Sequence, residues 1–358
     1  MLQQHEEYMH RCLQLAKLGV GNVAPNPMVG AVLVYESRII GEGYHKQYGQ
    51  AHAEVNCIAS VKDADKHLIE RSVLYVSLEP CSHYGKTPPC SALIIHKRIP
   101  KVVIGCRDPF KEVYGKGIEK LKVAGVEVVT EILENECIEL NKRFFTFHIK
   151  KRPYIILKWA QTADNKIAPN DNKRLIISNE YTNRIVHKWR FEEAGILVGT
   201  NTIIADNPLL TNRLWIGKNP VRLVIDNELK LPATAGIFNN DASTIVFNLK
   251  KETIDVETIL QANQVYYYKI EKSKSVTAQI AEACYALNIQ SILVEGGAKL
   301  LQLFIDEKLF DEARIITNKK MRIGKGLESP RFYEKELDSS FSSGNDLIKI
   351  YKANSFFL

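Results

Sequence analysis

The sequence predicts an α/β protein of two domains, a three-layer sandwich with a mostly parallel sheet followed by a second α/β unit. Three observations predict it. The chain has 358 residues, more than one ordinary core accommodates. Its apolar runs alternate between strand and helical spacing along the length. A basic run closed by proline, HIKKRP, breaks that alternation near Lys150–Pro153, and a fresh apolar run, YIILKWA, follows it.

Residues 5–18 put Tyr8, Cys12, Leu15 and Leu18 near one helical face. GAVLVY (30–35) and RIIGEGYH (38–45) read as a strand pair joined by a tight turn. A helix runs from His52 to Val61, and SVLYVSLE (72–79) is a buried strand. Residues 90–98 are short and helical, KVVIGC (101–106) is the next strand, and GIEKLKVAGVEVVT gives a helix, a glycine stop and a strand. Beyond the boundary the pattern is RLIIS, a helix over 179–192, GILVG, VRLVID, STIVFN, VYYYKI, a helix over 276–287, SILVEGG, a helix over 298–308, and EARIIT. The tail LIKIYKANSFFL closes with one or two strands.

Composition narrows the class. Hydrophobic residues make up 45% and charged residues 25%, the balance of a soluble globular protein. No apolar run reaches the roughly 18 residues of a membrane span. The first residues, MLQQHEEYMHRCLQLAKLG, are charged and helical in pattern, unlike a secretory signal, which places the chain in the cytoplasm. The net charge of +7 is scattered, and few aromatics interleave with the cations, which argues against a nucleic-acid surface. Seven cysteines in such a chain imply no disulfide framework. All but Cys81 and Cys90 are expected to be small buried apolar residues.

The chemistry is concentrated in three pieces: His52-Ala53-Glu54, Pro80-Cys81, and Cys90. A catalytic zinc takes three protein ligands and keeps one position open for water, a need that one imidazole and two thiolates meet. Glu54 is then no ligand but a proton carrier for hydrolytic deamination. The general signature of zinc deaminases, H-x-E followed by P-C-x-x-C, is altered here, because SHYGKTPP separates the cysteines and adds His83 and Lys86 to the pocket. A closed structural zinc with His83 as fourth ligand is the rival reading, and it leaves Glu54 without a role. In the second half, SILVEGGAKLLQLFI (291–305) ends a strand in Glu295, Gly296 and Gly297 and starts a helix at once, a geometry that suits a phosphate. Asp206-Asn207-Pro208 reads as a turn.

PNPMVGAVLV (25–34), HAEVNC (52–57) and EPCSHYGKTPPC (79–90) resemble the deaminase half of RibD, the family of bifunctional riboflavin biosynthesis proteins. YIILKWAQTADNKIA (154–168), ILVGTNTIIADNPLLTNR (196–213), RLVID (222–226) and LVEGGAKLL (293–301) are similar to its reductase half. The resemblance implies a cytidine-deaminase-like sandwich over 1–148 and a domain over 152–358 with a dihydrofolate-reductase-like fold. It implies zinc and NADPH as cofactors; the residues alone leave NADPH and NADH open, since no 2′-phosphate arginine stands out. It implies that Asn26, His45 and Lys86 meet the pyrimidine or its phosphate, with His83 beside them. In the reductase half it implies that Ala160, Thr202 and Asp206 contact the cofactor, with Gly296 and Gly297 near its phosphates, and that Arg190, Leu210, Arg213 and Glu295 contact substrate. A guanidinium grips a phosphate through two parallel hydrogen bonds, which suits Arg190 and Arg213. Two departures stand out: Asn165 follows Asp164 where the family has glycine, and Leu175 replaces a tryptophan. Asparagine tolerates left-handed backbone, so the turn survives.

The expected reaction is hydrolysis of the 2-amino group of 2,5-diamino-6-ribosylamino-4(3H)-pyrimidinone 5′-phosphate, then hydride transfer from NADPH to the ribosyl group. The expected partner is this small phosphorylated pyrimidine, not nucleic acid or membrane, with self-association of the chain. Two alternatives stay open: a deaminase acting on a flipped nucleic-acid base, and a deaminase fused to a degenerate reductase.

Overall fold

The computed structural model describes residues 2–84, 88–110, 113–170, 175–254, 263–333 and 336–353. The chain divides into two compact units, Met1–Lys150 and Lys151–Leu358.

The first unit runs α1 (Leu2–Ala16), β1 (Gly30–Tyr35), β2 (Arg38–Tyr44), α2 (Ala53–Ala59), β3 (Val73–Leu78), α3 (Cys90–His96), β4 (Lys101–Cys106), α4 (Lys116–Val123), β5 (Glu127–Val129), α5 (Glu134–Leu140) and α6 (Lys142–Lys150). Its sheet has the order β2-β1-β3-β4-β5. β1 runs against both neighbours, and β3, β4 and β5 are parallel, so four of the five strands share one direction. The β1–β2 turn uses Glu36 and Ser37, both with positive φ, the conformation that matches strand twist in a two-residue hairpin. Alternate residues Ala31, Leu33, Leu74, Val76, Val102 and Ile104 face the layer of α2, α3 and α4.

The opposite face is covered by α1. Its buried Met9, Cys12, Leu13 and Ala16 stand at i, i+3, i+4 and i+7. A Cβ on Gly30 would lie 2.0 Å from the Cys12 carbonyl oxygen, so helix and strand touch backbone to backbone. Leu18, expected on the buried face, is 59% exposed because the chain tightens into a 3-10 turn over Lys17–Gly19 and rotates it away. A Cβ on Gly105 would meet Cys137 Sγ at 2.4 Å and Met9 Sδ at 3.2 Å, which places α5 beside α1. Neither α5 nor α6 was anticipated from the sequence.

α2 lies equally close to β2. A Cβ on Gly43 would sit 2.2 Å from the Cys57 amide nitrogen and 2.6 Å from the Ala53 carbonyl oxygen, backbone atoms that cannot swing aside. Gly43→Ala is therefore expected to destabilise the first unit by about 1–3 kcal/mol and to lift α2, with Glu54, off the sheet. A lowered urea midpoint and weakened zinc retention would show this; a variant with wild-type values for both would contradict it.

The second unit runs β6 (Tyr154–Thr162), β7 (Lys166–Pro169), α7 (Glu180–Glu192), β8 (Gly195–Gly199), α8 (Thr200–Asp206), β9 (Val221–Ile225), β10 (Thr244–Asn248), β11 (Val265–Lys269), α9 (Val276–Ala286), β12 (Ser291–Glu295), α10 (Ala298–Asp306), β13 (Glu312–Asn318), β14 (Gly326–Glu328), β15 (Glu336–Ser343) and β16 (Asp346–Lys352). Among the described residues the main sheet has the order β11-β10-β9-β8-β12-β6-β13-β16-β15. All pairs from β11 to β13 are parallel, and β16 and β15 close the edge antiparallel. The central strands carry apolar runs, ILV in β8 and ILV in β12, as a parallel sheet covered on both faces requires. Ile155, Leu157 and Val294 meet Cys284, Leu301 and Phe304 from α9 and α10; Tyr154, Ile156 and Leu293 meet Val186 and Trp189 of α7 on the other side.

RLIIS is not a strand. Arg174 lies outside the described residues, and Leu175, Ile176 and Ile177 line a cavity instead of pairing. The tail contributes one described strand, β16, with residues 354–358 outside the description. Cys12, Cys57, Cys106, Cys137 and Cys284 are buried and free, as their apolar settings predict.

Candidate functional site

In the first unit the strand ends and helix starts converge. His52 is the N-cap of α2 in extended conformation, but its ring does not cap the helix. Its Nδ1 faces Cys81 Sγ at 3.7 Å and Cys90 Sγ at 3.4 Å. Cys81 lies just past β3 and Cys90 opens α3, whose first amide donates to Cys81 Sγ at 3.3 Å. Tetrahedral zinc with bonds of about 2.0 Å to nitrogen and 2.3 Å to sulfur separates such atoms by about 3.6 Å. The three ligand atoms lie within 4.8 Å of one another, and no fourth His, Cys, Asp or Glu joins them among the described residues. His83, the fourth ligand of the closed-site reading, is exposed and turns its ring edge toward Phe110. The donor set therefore fits a zinc with an open position. The Cys90 hydrogen bond, and His52 beside it, hold the Cys81 thiol below its ordinary range despite burial.

Glu54 is 3% exposed, in the first turn of α2. Burial, then the neighbouring Cys81, raises its pKa above the usual carboxylate range, while His52 works in the other direction. His45 is buried as well, and burial lowers its pKa, so the ring is neutral. Its Nδ1 donates to the Ala51 carbonyl at 3.1 Å, and its Nε2 then accepts from Asn26 Nδ2 at 3.2 Å. The His45 ring stands edge-on to His52, with centroids 5.3 Å apart. Asn26 and His45 are thus joined to each other and to the ligand cluster. Lys86 lies outside the described residues.

Two buried residues that shape this site were not legible in sequence. Asn141 brackets Met28, accepting from its amide at 2.8 Å and donating to its carbonyl at 2.9 Å, which fixes the loop carrying Asn26. Glu79 accepts four backbone amides, from Asp108, Gly115, Gly117 and Ile118, at 3.0–3.3 Å. It pins the Pro80–Cys81 turn against the start of α4. Its place just before Pro80-Cys81 was the only sequence signal available.

The second unit holds a cavity of about 870 Å³. Ala160, Thr202, Asp206, Gly296 and Gly297 line it, as do Arg190, Leu210 and Glu295. Arg213 does not; its side chain is exposed, and its Nη1 reaches Thr211 Oγ1 at 3.4 Å. Gly296 and Gly297 both have positive φ, and a Cβ on Gly296 would lie 2.8 Å from Thr202 Cγ2, so the turn before α10 closes on α8 only because glycine stands there. Asn165, the departure from glycine, has φ +59, the left-handed conformation the turn requires. Leu175 lines the cavity.

Arg190 differs from expectation. Its fork is committed to Glu295, Nε to Oε1 at 2.9 Å and Nη2 to Oε2 at 2.8 Å, and is not open for a bidentate grip on phosphate. A third charge, absent from the sequence reading, completes the group: Lys158 Nζ lies 3.5 Å from Glu295 Oε2. Desolvation pushes Glu295 up, but Arg190 and then Lys158 outweigh it and hold the carboxyl at about 2. Burial lowers the pKa of Lys158, countered by Glu295. Two cations and one anion leave this buried cluster positive toward the cavity.

The family profile of the RibD C-terminal domain matches residues 153–338, and that of the cytidine and deoxycytidylate deaminase zinc-binding region matches residues 2–106. The riboflavin biosynthesis protein RibD of Aquifex aeolicus is 37% identical, over 97% of this chain and 98% of its own. That of Bacillus amyloliquefaciens is 39% identical, over 86% and 82%. Among solved structures, the diaminohydroxyphosphoribosylaminopyrimidine deaminase/5-amino-6-(5-phosphoribosylamino)uracil reductase of Thermotoga maritima is 35% identical with a TM-score of 0.86, covering 98% of this chain and 99% of that one. With a metal centre of deaminase type in one unit, a lined cavity in the other and relatives matched over nearly their whole length, the chain belongs to the RibD family of bifunctional riboflavin biosynthesis deaminase–reductases.

Proposed function

We propose that residues 1–148 deaminate 2,5-diamino-6-ribosylamino-4(3H)-pyrimidinone 5′-phosphate and that residues 152–358 then reduce the ribosyl group with NADPH. The observation that carries this reading is the open His52, Cys81 and Cys90 group with buried Glu54 beside it. Zinc, when bound by these three residues, supplies Lewis acidity toward water. Glu54 takes one proton from the attacking water and passes it to the ring nitrogen, then takes the hydroxyl proton and passes it to the departing amine, so that water and the N=C–NH2 unit become HN–C=O and ammonia. Neutral His45 orients the Asn26 amide, which holds the pyrimidine edge, and Lys86 and His83 supply the phosphate-side contacts of the long loop.

NADPH, when bound, supplies the hydride. Thr202, Asp206, Ala160 and the Gly296–Gly297 turn hold it, and the Gly turn leaves the amides at the start of α10 for phosphate oxygens. Lys158 and Arg190, oriented by Glu295, would stand at the sugar oxygens and stabilise the ring oxygen as its bond to C1′ breaks on reduction and it takes up a proton from water; Leu210 and Arg213 complete the substrate side. Self-association and a cytoplasmic location belong to the same reading. No helix among the described residues is long and apolar enough to cross a membrane, which is consistent with that location.

A coupled assay on the phosphorylated diaminopyrimidine tests both steps. Ammonia is expected first, without cofactor, and NADPH oxidation only afterwards. Ammonia from single-stranded oligonucleotides or tRNA in its place would favour base deamination, and failure to oxidise NADPH would favour a degenerate reductase. Dialysis against a zinc chelator is expected to abolish ammonia release in proportion to the zinc removed, and to leave NADPH oxidation of the deaminated pyrimidine intact. Ammonia release that persists in zinc-free protein would overturn the deaminase mechanism.

A further inference from the structure

A buried histidine one turn from Arg190 has no part in the chemistry described so far. His187, on α7, is 6% exposed. Its Nδ1 accepts two backbone amides of one loop, Arg213 N–H at 2.9 Å and Leu214 N–H at 3.4 Å. Three residues on, Arg190 lies on the same helical face and donates Nη1 to the Thr211 carbonyl at 3.2 Å. The two side chains therefore grip consecutive peptide groups of the segment that leaves the cavity wall at Leu210. That wall residue sits at φ +53 with its side chain buried. A left-handed conformation is strained for a leucine and persists only where the surroundings impose it.

We propose that His187 is a positioning residue of the reductase half, which through Nδ1 holds the Leu210–Leu214 segment in the conformation that keeps Leu210 in the cavity wall, facing the phosphorylated sugar. The inference rests on the reading that this segment contacts the reductase substrate. The role needs an acceptor at Nδ1, hence a neutral ring with its proton on Nε2. Burial, then the Arg190 and Arg213 charges, with a smaller like effect from Lys158 and an opposing one from Glu295, keep the ring in that form and put its pKa at about 4. Arg190 holds the Thr211 carbonyl and His187 the next two amides, so the two side chains act on different groups of the segment.

The full chain supplies its own controls, because ammonia release reports the first unit and NADPH binding, followed by fluorescence, reports the folded second unit. Asparagine places an acceptor where Nδ1 stands, and glutamine places one nearer Nε2. His187→Gln is expected to raise KM for the deaminated pyrimidine by about tenfold or more, with ammonia release and NADPH affinity at wild-type values. His187→Asn is expected to restore most of that loss. Gln and Asn variants equal to each other, a glutamine variant with wild-type KM, or loss of NADPH binding in step with activity would overturn the inference; the last would mark a role in folding alone. A wild-type chain that binds NADPH yet oxidises none with the deaminated pyrimidine would overturn the underlying reading, and the inference with it.

Discussion

Glu54→Gln is expected to lower ammonia release by about a thousandfold or more and to leave the zinc content of the chain unchanged. Glutamine has the shape of glutamate and cannot carry a proton between water and amine. The metal loses nothing by the exchange, since the ligand atoms are His52 Nδ1 and the sulfurs of Cys81 and Cys90, and Glu54 is not one of them. The site also tolerates the amide. Glu54 is buried, and burial already disfavours its charge. Zinc measured by elemental analysis, ammonia release, and NADPH oxidation of the deaminated pyrimidine form the set of readouts. The expected pattern is retained zinc, lost ammonia and retained oxidation. Zinc lost with activity would assign Glu54 to ligation, and normal turnover would remove it from the mechanism. The three results are mutually exclusive, which makes this substitution more decisive than removing a cysteine, where metal and activity disappear together.

The metal centre was legible in sequence because its parts are local. His52 and Glu54 are two residues apart, Cys81 follows a proline at a strand end, and each motif sits where an element begins or ends. What lay between distant segments was not. Asn141 reaches Met28 across 113 positions, and Arg190 meets Glu295 across 105. Sequence spacing carries no sign of such pairs, so Arg190 was expected to face phosphate when it faces a carboxylate. Lys158 escaped notice for a related reason: in YIILKWA it reads as the polar residue of an alternating strand, and only the parallel register of β12 on β6 brings it to Glu295. RLIIS misled in the other direction, because an apolar run in the wall of a cavity has the composition of a strand without its hydrogen bonds. β15, with the sequence ELDSSFSS and seven of its eight residues exposed, pairs at the sheet edge by register with β16 and shows no apolar period of its own.

Glu295→Ala is expected to cost the second unit about 3–5 kcal/mol and to abolish NADPH oxidation, with ammonia release preserved. The reason lies in what remains. Side-chain exposures are 13% for Arg190, 13% for Lys158 and 9% for Glu295, so truncation leaves two cations out of water with no anion between them. Breaking a buried pair from one side costs more than the pair contributed, because the survivors keep their desolvation. All three tryptophans, Trp159, Trp189 and Trp215, lie in this unit, so fluorescence-detected urea unfolding reports it selectively. The sign of the pH dependence provides a second check. Glu295 ionises at about 2 when folded, against 4.5 in the open chain. Its stabilising contribution is therefore complete above 4.5 and lost as pH falls through about 2. The stability gap between wild type and Glu295→Gln should accordingly be level from neutral pH to about 5 and narrow below that. A gap that widened on acidification, or an alanine variant that unfolded at the wild-type urea concentration, would show that the two cations do not depend on this carboxylate. The geometry of Lys158 and Arg190 at the cavity would then need another source.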